Sequence, residues 1–181
     1  LDPVGGLPDL AARRLRFVGD PHARIAEDYL RILRFFRLLA WYGREADLTA
    51  LAACRELRGG LSSISKERIG HEIRKLLNAP DPSRAVALMA ESGVLPLVLP
   101  GADASDLAEL IEIEQEYGAG ALPVWPRRLA LLAPQHAAEA LRLSRDETRA
   151  QDHIAQALTL PAPVAAYRLG RAFSAESVLI R

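Results

Sequence analysis

The sequence has a single cysteine, Cys54, so an internal disulfide is excluded and a reducing compartment fits. No run is long and apolar enough to span a bilayer, and no basic, apolar, small-residue leader opens the chain. These absences predict a cytoplasmic protein with no membrane partner. Net charge is absent as well: 23 Lys and Arg offset 23 Asp and Glu, which argues against strong non-specific nucleic-acid binding across the whole surface. No glycine loop of the GxxxxGK[ST] type is present, and the Gly5-Gly6 pair lacks the following lysine. His22, His71, His136 and His153 have no metal-ligand spacing with one another or with Cys54, so no metal site is expected. Glu112-x-Glu114-x-Glu116 falls on a helical segment and should spread around it, whereas two-metal phosphoryl chemistry needs carboxylates converging on one point. No catalytic residue can be nominated.

What is there is a 181-residue globular composition, 50% hydrophobic and 25% charged, enough for one large or two small domains. The charge is unevenly placed. Residues 1–80 hold 14 Lys and Arg against 10 Asp and Glu, and the remainder holds 9 against 13. Eight arginines and no lysine lie between Arg13 and Arg44, while Asp103 to Glu116 carries six acids and no base. A polyanionic partner should therefore engage the N-terminal part.

Leu1 to Asp9 reads as a loop, because Pro3, Gly5-Gly6 and Pro8 oppose regular structure, and Leu15 to Val18 as a short extended piece. The rest has helical period, with helices expected at 22–42, 48–58, 66–78, 82–93, 105–117, 124–133, 135–142, 145–159, 162–171 and 174–181. Ser65, Ser105 and Ser144 are expected caps, and Asp81-Pro82 supplies a cap and a first-turn proline. With no clear strand pair, the expected class is all-α: an irregular multi-helix bundle preceded by a short hinge segment.

The segment Glu27-Asp28-Tyr29-Leu30-Arg31-Ile32-Leu33-Arg34-Phe35-Phe36-Arg37 is the most informative. At about 100° per residue its two acids and three arginines share one half of a helix, with Leu30, Phe35 and Leu38 among them. The other half is an apolar seam of Ile32, Leu33, Phe36, Leu39 and Ala40. By spacing alone, Glu27 to Arg31 and Asp28 to Arg31 are ordinary i,i+4 and i,i+3 surface pairs. The same groups also offer a planar donor fork beside carboxylate acceptors, which is what the edge of a nucleobase requires.

Four segments in order sharpen this reading: Asp2-Pro3-x-Gly5-Gly6-x-x-Asp9-Leu10, Leu15-Arg16-x-x-Gly19-Asp20-Pro21, Glu27-Asp28-x-x-Arg31-x-x-Arg34, and Glu67-Arg68-Ile69-x-x-Glu72. Together they resemble the class II tRNA nucleotidyltransferase/poly(A) polymerase family, strongly over residues 1–78 and weakly to about 100. The resemblance implies a hinge at Gly5 and Gly6 within residues 1–21, a helical neck over 22–100, and a tRNA-contacting body over 101–181. It implies that Asp28 and Arg31 meet the Watson–Crick edge of CTP or ATP, that Glu27 holds Arg31, that Arg34 lies near the nucleotide, and that Glu67 and Arg68 brace the neck. C and A present an amino donor beside a ring acceptor, whereas G and U present the reverse. The family's catalytic carboxylates are not found in this sequence, and neither are the ligands of the Mg²⁺ the family implies. The start at Leu1 and the end within a helical segment suggest a fragment, inactive by itself, of an enzyme acting on the tRNA 3′ end with CTP and ATP. Neutral charge favours CCA addition over poly(A) tailing. A helical RNA-binding module without chemistry, and an arginine face that is only structural, remain as alternatives; the oligomeric state is not legible.

Overall fold

The computed structural model describes residues 2, 5–119 and 124–180. Pro3 and Val4 of the expected hinge, and Arg181 of the expected last helix, lie outside the described residues. The N-terminal segment is not a loop up to Asp9. The two Asp2 carboxylate oxygens accept the N–H groups of Gly6 and Leu7, each at 2.8 Å, and Gly5 turns the chain at φ +65°. Helix α1 therefore runs Gly6–Ala12. Pro8 falls in its first turn, where a missing N–H leaves no hydrogen bond unmade.

A two-residue strand follows, β1 (Arg14–Leu15), and then α2 (Pro21–Glu27), whose start is capped by the Asp20 side chain. The long α3 (Leu30–Tyr42) leads to β2 (Glu45–Ala46), which pairs in parallel with β1. This pair was not expected, and among the described residues it is the one exception to the all-α class. Asp47 caps α4 (Leu48–Leu57), a 3-10 turn covers Arg58–Ser63, and Ser65 accepts the Arg68 N–H to start α5 (Lys66–Leu77). Then come α6 (Ser83–Glu91), α7 (Leu95–Val98), α8 (Leu107–Glu116), α9 (Trp125–Leu132), α10 (Ala137–Ala140), α11 (Arg145–Leu158), α12 (Ala162–Leu169) and α13 (Arg171–Ile180).

Ser144 forms the expected cap, reciprocated by Glu147. Ser105 does not: its N–H donates to Asp103, and α8 begins two residues later. Asp81 accepts the Ser83 N–H, so α6 starts one residue beyond the expected proline. Gly170, at φ +96°, separates α12 from α13 and moves the last helix start to Arg171.

The core is centred on α3 and α5. Ile32, Leu33, Phe36 and Leu39 are buried as the periodicity requires, against Ile69, Ile73, Leu76 and Leu77. Leu30 and Phe35, expected among the charges, are buried too, and Phe35 stacks on Phe17 with ring centroids 5.5 Å apart. Each such side chain contributes about 1.5–3 kcal/mol by leaving water. Cys54 lies in the same core, where burial pushes its thiol up to about 12 and leaves it unreactive. Among the described residues no helix is long and apolar enough to cross a membrane.

Candidate functional site

The expected continuous helix over 22–42 is broken at the position that matters most. Asp28 takes φ −158° and ψ 105°, which is extended backbone. Its carbonyl accepts the Arg31 N–H at 2.9 Å while its Oδ1 accepts the Leu30 N–H at 3.1 Å. An aspartate that binds its own following backbone starts a helix more readily than it continues one. Glu27 thus ends α2, Asp28 stands in the break, and Arg31, Arg34 and Arg37 lie on α3. Beside the break, Gly60 leaves room for the Tyr29 ring, since a Cβ there would come within 2.1 Å of it.

The Glu27 to Arg31 pair forms, with Oε2 accepting Arg31 Nη1 at 2.6 Å. The same Arg31 nitrogen donates to the Arg24 carbonyl at 2.7 Å, and Arg24 Nη1 donates to both Glu27 oxygens. The expected Asp28 to Arg31 pair does not form. Asp28 Oδ2 instead accepts Arg68 Nη2 of α5 at 2.9 Å. Glu72, one turn further along α5, lies beneath Arg34 at 3.6 Å and Arg37 at 3.2 Å, with its side chain only 6% exposed. Helices α3 and α5 run parallel along this row, which ends where Trp41 Nε1 donates to the Lys75 carbonyl. Glu67 faces away into an exposed pair with Arg142 at 3.3 Å.

The electrostatics follow from these partners. Partial burial opposes ionisation of Asp28, but the Leu30 N–H and the charge of Arg68 outweigh it and hold the carboxyl below its usual range. Hydrogen bonding from Arg31, and then from Arg24, holds the Glu27 carboxyl low as well. Both acids are therefore acceptors at neutral pH. Arg31 and Asp28 are each about a quarter exposed, and Arg34 is 45% exposed. The break sets a carboxylate acceptor and a guanidinium donor one turn apart at the surface, each held by one side chain and one backbone group. That is the polarity needed to meet an amino donor beside a ring acceptor.

The chain has similarities to known proteins along most of its length. Residues 47–106 match the family described as the probable RNA and SrmB-binding site of polymerase A. The chain is 41% identical over 100 residues to the CCA-adding enzyme of Geobacillus sp. (strain WCH70), spanning 55% of this chain and 24% of that protein. It is 34% identical over 167 residues to the CCA-adding enzyme of Bordetella pertussis, spanning 91% of this chain and 44% of that one. The chain is thus similar to part of the tRNA nucleotidyltransferase and poly(A) polymerase family. The solved Bacillus stearothermophilus CCA-adding enzyme in complex with CTP superposes with a TM-score of 0.75 at 26% identity, covering all of this chain and 48% of that one. The chain thus spans less than half the length of these relatives.

Two groups of residues were not picked out from the sequence. Glu72 was seen only as part of a motif, although its hydrophobic-side register on α5, with Ile69, Ile73 and Leu76, marks a carboxylate that must be buried and therefore paired. The second group is Glu114 with Arg127 and Arg128, all nearly inaccessible, which join α8 and α9. Among the described residues no group of three or more His, Cys, Asp or Glu side chains is placed to hold a metal ion.

Proposed function

We propose that this chain is the base-selecting neck (22–100) and RNA-contacting body (101–181) of an enzyme that adds nucleotides to the tRNA 3′ end. In this reading Asp28 and Arg31 test the Watson–Crick edge of the incoming CTP or ATP. Glu27 orients Arg31, Arg34 lies near the nucleotide, and Arg68 holds Asp28 as a brace. Glu67, half removed from the cluster by its pairing with Arg142, braces less. Residues 1–21 join this part to a catalytic head, with Gly5, at φ +65°, and Gly6, the first residue of α1, as the flexible element. The enzyme works in the cytoplasm.

The supporting observation is the break at Asp28, which presents an acceptor and a donor side by side on the surface while the apolar seam of α3 is fully used in the core. A cytosine or adenine amino group donates to Asp28 as the ring nitrogen accepts from Arg31. Guanine and uracil would set donor against donor and acceptor against acceptor, and a mismatch of that kind leaves charged groups unpaired. Family chemistry implies Mg²⁺, but the described residues offer no ligand set for it, and this chain by itself transfers no nucleotide.

The test is equilibrium binding of CTP, ATP, GTP and UTP to the 181-residue chain, with the full-length protein given tRNA trimmed of its terminal CCA. Preference for CTP and ATP, and three added nucleotides requiring both, is the expected result. Equal affinity for all four nucleotides would refute base selection here. The family match names polymerase A, so the second reading is poly(A) tailing; a long ladder from ATP alone would establish it.

A further inference from the structure

The far end of α3 carries a feature that base selection does not use. Trp41 and Tyr42 are exposed, Tyr42 at 67%, with ring centroids 6.3 Å apart. The indole is pinned at one edge by its hydrogen bond to the Lys75 carbonyl, at 2.8 Å. Both rings border two shallow hollows. One, of about 270 Å³, is edged by Arg37 and Lys75. The other, of about 290 Å³, is edged by Arg13, Arg44, Arg84 and Asp81. The β1–β2 pair sets Arg13 beside Arg44, since the Arg13 carbonyl accepts the Arg44 N–H at 2.8 Å, and Arg84 donates to the Arg44 carbonyl. Asp81 is occupied by the Ser83 N–H and hydroxyl. Five cations surround two exposed aromatic rings; Glu72 faces Arg37 at 3.2 Å, and Asp81 is the one acid that lines the hollows, on a chain whose net charge is zero.

We infer that this patch binds a single-stranded RNA segment, with bases stacked on Trp41 and Tyr42 and phosphates paired with Arg13, Arg44, Arg84 and Lys75. The chemistry distinguishes single strands from duplex. A duplex buries its base faces and offers phosphates alone, whereas exposed aromatic rings add stacking only where bases are unpaired. Arg13, Trp41, Tyr42 and Arg44 lie outside residues 47–106, the stretch matched to an RNA-binding family, whereas Lys75 and Arg84 lie within it, so the patch extends that stretch onto both rings. The patch is also distinct from the base-reading cluster: Arg31 and Trp41 are ten residues apart on α3, about 15 Å along its axis. The inference therefore stands whether or not Asp28 and Arg31 select nucleotides.

The experiment is fluorescence polarisation of a labelled twelve-nucleotide oligoadenylate titrated with the 181-residue chain at several salt concentrations, with an RNA duplex of equal length as competitor. The single strand should bind at least about tenfold tighter than the duplex, and Tyr42→Ala should weaken it about tenfold. Tyr42 is exposed enough that its removal leaves the fold intact, which a thermal melt verifies. Arg44→Glu combined with Arg84→Glu should lower the slope of log affinity against log salt by about 1.4, the contribution of two phosphates on a single strand. Arg149→Ala, at an exposed arginine of α11 outside both the patch and the base-reading cluster, should leave oligoadenylate affinity unchanged. Equal affinity for duplex, an unchanged Tyr42→Ala, or equal loss on Arg149→Ala would each overturn the inference.

Discussion

Two arginine–carboxylate clusters in this chain use the same residue types and differ in burial and in how fully their donors are engaged. At the joint of α8 and α9, Arg128 donates to both Glu114 oxygens and to the carbonyls of Leu77, Ala79 and Pro80, which closes the C-terminal end of α5. Arg127 donates to Glu114, to Glu176 of α13 and to the Ala119 carbonyl. Glu114 is 2% exposed and both guanidinium groups are nearly as inaccessible. At the α2–α3 break, by contrast, Arg31 and Asp28 are each about a quarter exposed, and Arg34 has one loose partner at 3.6 Å. The lesson is that residue type does not separate a buried strut from an exposed cluster able to meet a ligand; saturation and exposure do. A guanidinium whose donors are all spent on buried carbonyls has nothing to offer a ligand.

That contrast gives a ranking of stability costs. Glu114→Gln should be the most damaging, because it leaves two buried arginines facing a neutral amide; a loss of about 3–5 kcal/mol in chemical denaturation is expected. A loss below about 1 kcal/mol would mean that the joint is not held by charge. Glu72→Gln lies between the two extremes, a buried acid beneath two partly exposed arginines, and should cost about 1–3 kcal/mol. Its Oε2 and Arg37 Nε are close but poorly aligned for a hydrogen bond, which places the effect in the lower part of that range. Arg31→Ala should cost less than about 1 kcal/mol, since its carboxylate partner is half exposed. It should nonetheless remove a preference for CTP and ATP worth about 1.5–3 kcal/mol per charged hydrogen bond, or roughly ten- to a hundredfold in Kd. The opposite pattern, stability lost and nucleotide preference kept, would make the arginine face structural and erase the contrast.

How much of this was legible in the sequence depends on the range of the interaction. The helical class, the α3 seam and the caps at Ser65 and Ser144 follow from patterns within one or two turns, and the structure has them. The break at Asp28 was masked because the apolar period runs straight through it, from Ile25 to Leu39; only the capping habit of aspartate opposed the period there. Asp2 closing the start of α1 was masked in the same way by the prolines and glycines around it. The Glu114 joint could not be read at all, because it links residues more than ten positions apart and Glu112 and Glu116 give the same local pattern while staying exposed. Asp28 pairing with Arg68, forty residues away, is of the same kind: spacing pointed to Arg31, and tertiary packing chose the partner.

The smallest effect offers the finest test of which forces hold the break between α2 and α3. The Asp28 carboxyl ionises more readily in the folded chain than at its ordinary value of 3.8: burial opposes the charged form, but the Leu30 N–H and then Arg68 favour it by more. A depressed folded value means that the unfolded chain binds the proton first. The stability Asp28 supplies is therefore complete above the unfolded value near 3.8, and is lost as pH falls through the lower folded value. The difference in unfolding free energy between the native sequence and Asp28→Asn should be constant from neutral pH down to about 5, then shrink on further acidification. Arg68→Ala should flatten the same acid limb, because it removes the cation without touching the Leu30 N–H. An acid limb that survives Arg68→Ala unchanged would assign the effect to the helix start alone, and Arg68 would lose its place as the partner that holds Asp28.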